Sequence, residues 1–166
     1  GYGASVKSSD KNQKSHHESE DTLKDKDNFK SLKVHSGGTL LIKPGEMVIG
    51  NIQLESGSKI LFSEPGRETI IHLNGSTIWR SKTLNDNLEL VAKGFKIIQH
   101  SSETMIVEGE WAGTIFAPNA DLILGQSSKT LYGRFLGNNI TVHQYATIYN
   151  VNFNPTIQHQ IVMYEE

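Results

Sequence analysis

The residues with most chemistry in this 166-residue chain are its seven histidines and eighteen acids. Two imidazoles close together on one element can share a metal ion. His16 and His17 adjoin each other in a polar stretch, and His35, His72, His100, His143 and His159 are scattered, with no i, i+2 or i, i+4 pair among them. That pattern reads as solvated or turn histidines, with no metal site and no cofactor. Paired carboxylates would serve hydrolysis of a glycosidic bond. Asp86, Glu89, Glu108, Glu110 and Asp121 are the acids to test, with Arg80 and Arg134 near them in sequence. None of the five lies twenty residues from another, the spacing that would stack them in the repeat described below, and no long loop is available to wall a cleft. No catalytic residue is assigned, and the expectation is a protein that is not an enzyme. Trp79, Trp111 and Tyr132 form a candidate glycan platform, with Tyr145 and Tyr149 as further flat faces for stacking on sugar rings. Their competing role is packing at corners and ends of the fold.

Composition narrows the partners. The formal net charge is −2, so bulk electrostatics offers nothing to a nucleic acid. No apolar run approaches the roughly 18 residues of a membrane span. Without cysteine, stability rests on packing and backbone pairing. Gly1 in first place fits a processed secretory precursor or a trimmed chain, and processing is the favoured expectation.

The elements that must position these residues repeat. Gly113-Thr-Ile-Phe-Ala-Pro-Asn-Ala120 runs parallel to Gly133-Arg-Phe-Leu-Gly-Asn-Asn-Ile140 at a spacing of twenty. Around it, from Leu32 to Phe153, short alternating apolar segments are broken by Pro44-Gly45, Ser56-Gly57-Ser58 and Pro65-Gly66. No segment longer than a few residues shows helical spacing. The expected fold is all-β, a single-stranded parallel β-helix (β-solenoid) of about six coils with a polar N-terminal arm. Ile115 is expected to stack on Phe135, Leu122 on Val142, and Asn119 on Asn139 as an amide ladder. A β-sandwich with coincidental spacing is the alternative architecture.

The stretches PGEMVIGNIQLESGSKILF, NLELVAKG, GTIFAPNADLILG and YGRFLGNNITVHQYATIYNVNF resemble the β-solenoid domain of bacterial secreted and surface proteins of the choice-of-anchor A type. Gly113, Ala117, Pro118, Asn119 and Ala120 carry the most specific part of the likeness. A looser similarity is to bactofilins, small β-helices that polymerise end to end. The resemblance covers roughly residues 38 to 153, and it implies an extracellular or cell-surface β-helical module without enzymatic activity.

Three parts are expected: an arm over 1–30, the solenoid over 31–153 and a C-terminal strand or tail over 154–166. The arm is too polar to fold alone. It is expected to dock on a neighbouring subunit, by strand pairing near Tyr2 to Val6 and by burial of Leu23 and Phe29. In the tail, Ile161, Met163 and Tyr164 are apolar enough to cap the last coil or meet another subunit. The leading function is a secreted, non-enzymatic structural subunit that polymerises with itself into an extracellular filament or surface matrix. The alternative is a monomeric carbohydrate-binding or adhesive module of a bacterial surface protein, with a polysaccharide as partner.

Overall fold

The structure, a computed structural model, describes residues 4–8, 13–15, 20–126 and 129–157, and for 4–8, 13–15 and 20 the backbone alone. The strands are β1 (Ala4–Ser8), β2 (Gln13–Ser15), β3 (Glu20–Leu23), β4 (Asn28–Val34), β5 (Thr39–Ile42), β6 (Gly45–Leu54), β7 (Lys59–Phe62), β8 (Thr69–Leu73), β9 (Thr77–Trp79) and β10 (Lys82–Thr83). Helix α1 (Leu88–Gly94) follows, then β11 (Phe95–Gln99), β12 (Met105–Val107), β13 (Trp111–Leu124), β14 (Thr130–Val142) and β15 (Thr147–Asn150). From β3 onward every strand pairing is parallel, and the chain winds into a β-solenoid of about six turns.

One sheet runs β15-β14-β13-β11-β8-β6-β4-β1-β2, with β9 and β12 filling its other half between β6 and β13. The second sheet, β10-β7-β5-β3, closes the early turns. Side chains alternate in and out along each strand, so equivalent positions stack as inward columns. Met47, Ile71, Ile97 and Ile115 form one such column, all of them buried, and Phe135 ends it, as expected for the Ile115–Phe135 pair.

Turn length is not constant. Met105 lies on Leu122, 17 residues on, whereas Thr77 lies on Met105, 28 residues on. The long turn contains α1, which is too short for its periodicity to stand out in the sequence. Its start is fixed by Asn87, whose side chain accepts the Leu90 N–H at 3.0 Å. The short turn arises because Glu108-Gly109-Glu110 joins β12 directly to β13, with no strand in the second sheet. Where that side is lost, Phe62, Trp79, Phe95 and Trp111 fill the interior, with neighbouring ring centroids 4.9 to 6.0 Å apart.

The register corrects two expected stacks. Leu122 pairs with Ile140, and Val142 pairs with Leu124 instead; Asn139 pairs with Asp121, not Asn119. The cause is a bulge between Ala117 and Asp121. Pro118 has no N–H for the ladder, so a strand paired on both sides must loop it out. Pro118 and Asn119 are exposed, while Ala120 turns back into the core. Asp121 takes over as the polar rung, accepting from Asn139 Nδ2 at 2.9 Å and Asn138 Nδ2 at 3.3 Å. The glycines of the repeat stack as expected, Gly113 on Gly133, because a Cβ on Gly133 would sit 1.8 Å from the Gly113 carbonyl oxygen.

The expected arm is also corrected. Parallel pairing begins at Glu20, and Leu23 is fully buried in this chain's own core, with Phe29 packed against it. β1 pairs antiparallel with β4 of the same chain, with Val6 opposite Leu32, and β2 adds outside β1. Tyr2, Ile161, Met163 and Tyr164 lie outside the described residues.

After β15 the chain leaves the last turn and runs back along the side of the stack. Val151 N–H bonds to Gly133 O at 3.2 Å, Asn154 N–H to Lys93 O at 2.8 Å and Thr156 N–H to Gly66 O at 2.7 Å. Phe153 packs beneath the Lys96 ammonium, 5.3 Å from its ring centroid, and Arg134 donates to Asn152 Oδ1 at 3.2 Å. This strap brings Ile157 to a cleft lined by Asp25, Pro44 and Gly45 of the first turns.

Ile115 and Phe135 share a column but not a degree of cover. Ile115→Ala should cost about 2–5 kcal/mol, the usual range for a fully buried truncation. Phe135→Ala should cost distinctly less than a buried phenylalanine because its ring is only partly covered. Urea unfolding of the dilute protein measures both, and a loss of about 3–5 kcal/mol for Phe135 would show that its ring is fully covered.

Candidate functional site

The last turn is where the solenoid's internal chemistry meets solvent. β15 covers β14 only over Thr130–Gly133. Past Gly133, β14 has no strand on its outer side among the described residues. The inward columns end there. Leu122 and Leu124 are 0% exposed, yet Ile140 and Val142, stacked directly on them and pointing the same way, are 44% and 46% exposed. Ile148, stacked on buried Leu131, is 40% exposed. Among the described residues, no further coil lies on these inward-facing side chains. Beside them the turn His143-Gln144-Tyr145-Ala146 closes with Ala146 N–H bonded to His143 O at 3.2 Å. Tyr145 in this turn has φ +65°, an uncommon conformation for a bulky residue, and its ring projects into solvent. The outcome is an apolar slab edged by backbone N–H and C=O groups that have no strand partner among the described residues.

The expected aromatic platform divides. Trp79 and Trp111 are buried, 2% and 1% exposed, and offer no surface for a sugar. The apolar tetrad of the narrowing interior requires them there. Trp111 Nε1 donates to Gly113 O at 2.8 Å, while Trp79 Nε1 has no partner among the described residues. Tyr132 is half-buried and lies on Tyr149, rings 5.1 Å apart and 21° from parallel. Tyr149 leaves its outer side to solvent, and Tyr132 also lines a cleft with Asp86, Asn87, Leu88 and Glu89.

Of the acids, Glu108 is paired with Arg80 and Asp121 is held by the two asparagine amides. Asp86 and Glu89 share the Tyr132 cleft. Glu55 belongs to a different group on the first turns. Its carboxylate accepts the Ser36 N–H at 3.1 Å and lies 3.4 Å from His35 Nδ1 and 3.7 Å from Lys33 Nζ. The backbone N–H of Ser36 chiefly holds the Glu55 carboxyl below its ordinary range; burial opposes it, and the His35 and Lys33 charges add smaller downward pulls.

Sequence spacing missed one cluster. Glu46, His72 and His100 come together on the outer face although 26 and 28 residues separate them. Neither a twenty-residue ruler nor the register of these turns finds them, because Val48 and Ile98 are the register partners of His72, and Glu46 and His100 meet it on a diagonal, Glu46 two residues before Val48 and His100 two residues after Ile98. No group of three or more metal-type side chains converges on one point among the described residues. No helix among them is long and apolar enough to cross a membrane.

No family model, curated protein or solved structure matches this chain.

Because the folded Glu55 pKa lies below the unfolded one, its ionised form stabilises the fold above the ordinary carboxylate range, and that contribution fades as pH falls through the folded value. Glu55→Gln should therefore lower the melting temperature slightly at pH 7, by an amount worth under about 1 kcal/mol for a pair so open to water. The difference should vanish near pH 3. Melting curves at both pH values check this, and an equal difference at each would place the effect in packing instead of charge.

Proposed function

We propose that the protein is a non-enzymatic structural subunit that polymerises with itself head to tail, as part of an extracellular filament or surface matrix. The observation that carries this reading is the last turn, which no other strand covers past Gly133 among the described residues, with Ile140, Val142 and Ile148 exposed in columns that are dry one coil below. The occupant that best fits an unfinished coil is another coil, with the same spacing of about 4.8 Å between strands and the same alternation of side chains. At the opposite pole the same sheet ends in β2, whose outer edge is also unpaired among the described residues. A β2 edge laid on the β14 edge of the next subunit would continue one sheet through both molecules. Contact between two different poles does not close on itself, so it propagates as a filament. The arm then docks on a neighbour while β1 remains on its own β4. Placement outside a bacterial cell is supported by the resemblance of the GTIFAPNA block alone.

A monomeric carbohydrate-binding module is the second reading. It is favoured by the exposed face of Tyr149 over Tyr132 and by the carboxylates of the adjoining cleft, a common pairing of ring stacking with hydroxyl recognition.

Replacing Ile140 and Val142 together with Asp should abolish filaments seen by electron microscopy of the concentrated protein. Circular dichroism should stay that of the folded solenoid. If the double variant assembles like the parent, the last turn is not the contact. If the parent stays monomeric while oligosaccharides shift the Tyr132 and Tyr149 resonances, the second reading takes its place.

A further inference from the structure

Three successive strands of the outer face bring Glu46, His72 and His100 into one line. Glu46 lies on β6 and His72 on β8, and His100 follows β11, where its N–H bonds to Leu73 O at 2.8 Å. His72 Nε2 is hydrogen-bonded to Glu46 Oε1, and His72 Nδ1 is 2.8 Å from His100 Nε2. The two rings are 17° from parallel with centroids 5.1 Å apart, so they meet end to end through these nitrogens. A carboxylate only accepts, so His72 carries its proton on Nε2 and turns the Nδ1 lone pair toward His100. His100 then donates through Nε2, and a single proton lies between the two nitrogens.

We propose that this pair is a binding site for a tetragonal divalent transition-metal ion, copper(II) or nickel(II), with Glu46 as the residue that positions His72. Two bonds of about 2.0–2.1 Å meeting at a right angle place their nitrogens about 2.9 Å apart. The observed 2.8 Å is the length of the hydrogen bond between the rings, and turning each ring off that line aims the two nitrogens, already close enough, at neighbouring corners of a square plane, the arrangement these two ions prefer. On binding, the metal takes the place of the shared proton, which moves to the other nitrogen of His100. Both rings tilt off the line that joins them, and water fills the remaining corners. No net proton is released. The carboxylate behind His72 supplies what metal-binding imidazoles ordinarily have, a partner that fixes the tautomer and raises ligand basicity. Hard cations such as magnesium find no matching oxygen donors in the pair. Exposure of His100 and partial exposure of His72 leave the site open to solvent.

The test uses the full chain with ¹⁵N-labelled histidine and copper(II) chloride. Substoichiometric copper should broaden the ring resonances of His72 and His100 before those of the other five histidines. Calorimetry should lose this site in both His72→Ala and His100→Ala, and Glu46→Gln should weaken it about 10–100-fold. Magnesium chloride should leave both rings unchanged. The proposal is overturned if the His72 and His100 signals persist at one equivalent of copper while other histidines broaden, or if His72→Ala binds as tightly as the parent. Unchanged affinity in Glu46→Gln would remove the positioning role.

Discussion

Every coil of this fold depends on the next one for two things, partners for its backbone and a lid for its inward side chains. A parallel strand cannot satisfy its own N–H and C=O groups, and a three-sided coil one residue thick has no interior of its own. The core is therefore a set of columns, not a cluster, and a residue's burial follows from its rank in the stack. Ile115 and Phe135 make the point, since chemistry and direction are alike and only the number of neighbours differs.

The same dependence limits what a strand can contain. Gly113 and Gly133 face each other where two backbones approach too closely for any side chain. Pro118 lacks the donor that the next coil requires, and the chain answers by looping out with Asn119 and returning with Ala120. Polar groups turned inward meet one another across turns: Ser58 Oγ hydrogen-bonds Ser81 Oγ, and the Gln99 side chain ties together Gly75 O, Glu103 O and Ser101. These bonds satisfy groups that would otherwise be costly to bury.

The sequence made the architecture legible because alternation and glycine-marked turns are local, and the coils of β13 and β14, in register at twenty residues, display their repeat openly. It hid whatever depends on coil length. α1 enlarges one turn and the missing third side shrinks the next, so a fixed spacing misplaces residues after either event. Glu46, His72 and His100 stay unrelated in the sequence for a further reason: they meet diagonally, Glu46 two residues before one register partner of His72 and His100 two residues after the other. The two-residue slip at Pro118 moved Leu122 from Val142 to Ile140 for the same reason. For the tryptophans the sequence leaves two roles open, a surface plate or packing, and the structure takes the second because an interior that loses one side needs its largest fillers there. Leu23 and Phe29 sit amid polar neighbours, so sequence texture assigns them to an arm, although alternation within β3 already points Leu23 inward; Phe29 is out of step with Leu32 and Val34 and joins the core where the β4–β6 ladder skips Lys30.

The strap from Val151 to Thr156 gives the stack a mechanical character of its own. Tension along the solenoid axis loads the ladders between coils in series, and a series arrangement yields at its weakest rung. The strap bonds to Gly133, Lys93 and Gly66 in succession, bridging several ladders at once, and so acts as a tie rod parallel to them. A column built this way resists stretching between Gly66 and Gly133 until the tie itself detaches, while the turns beyond Gly133 remain the compliant tip.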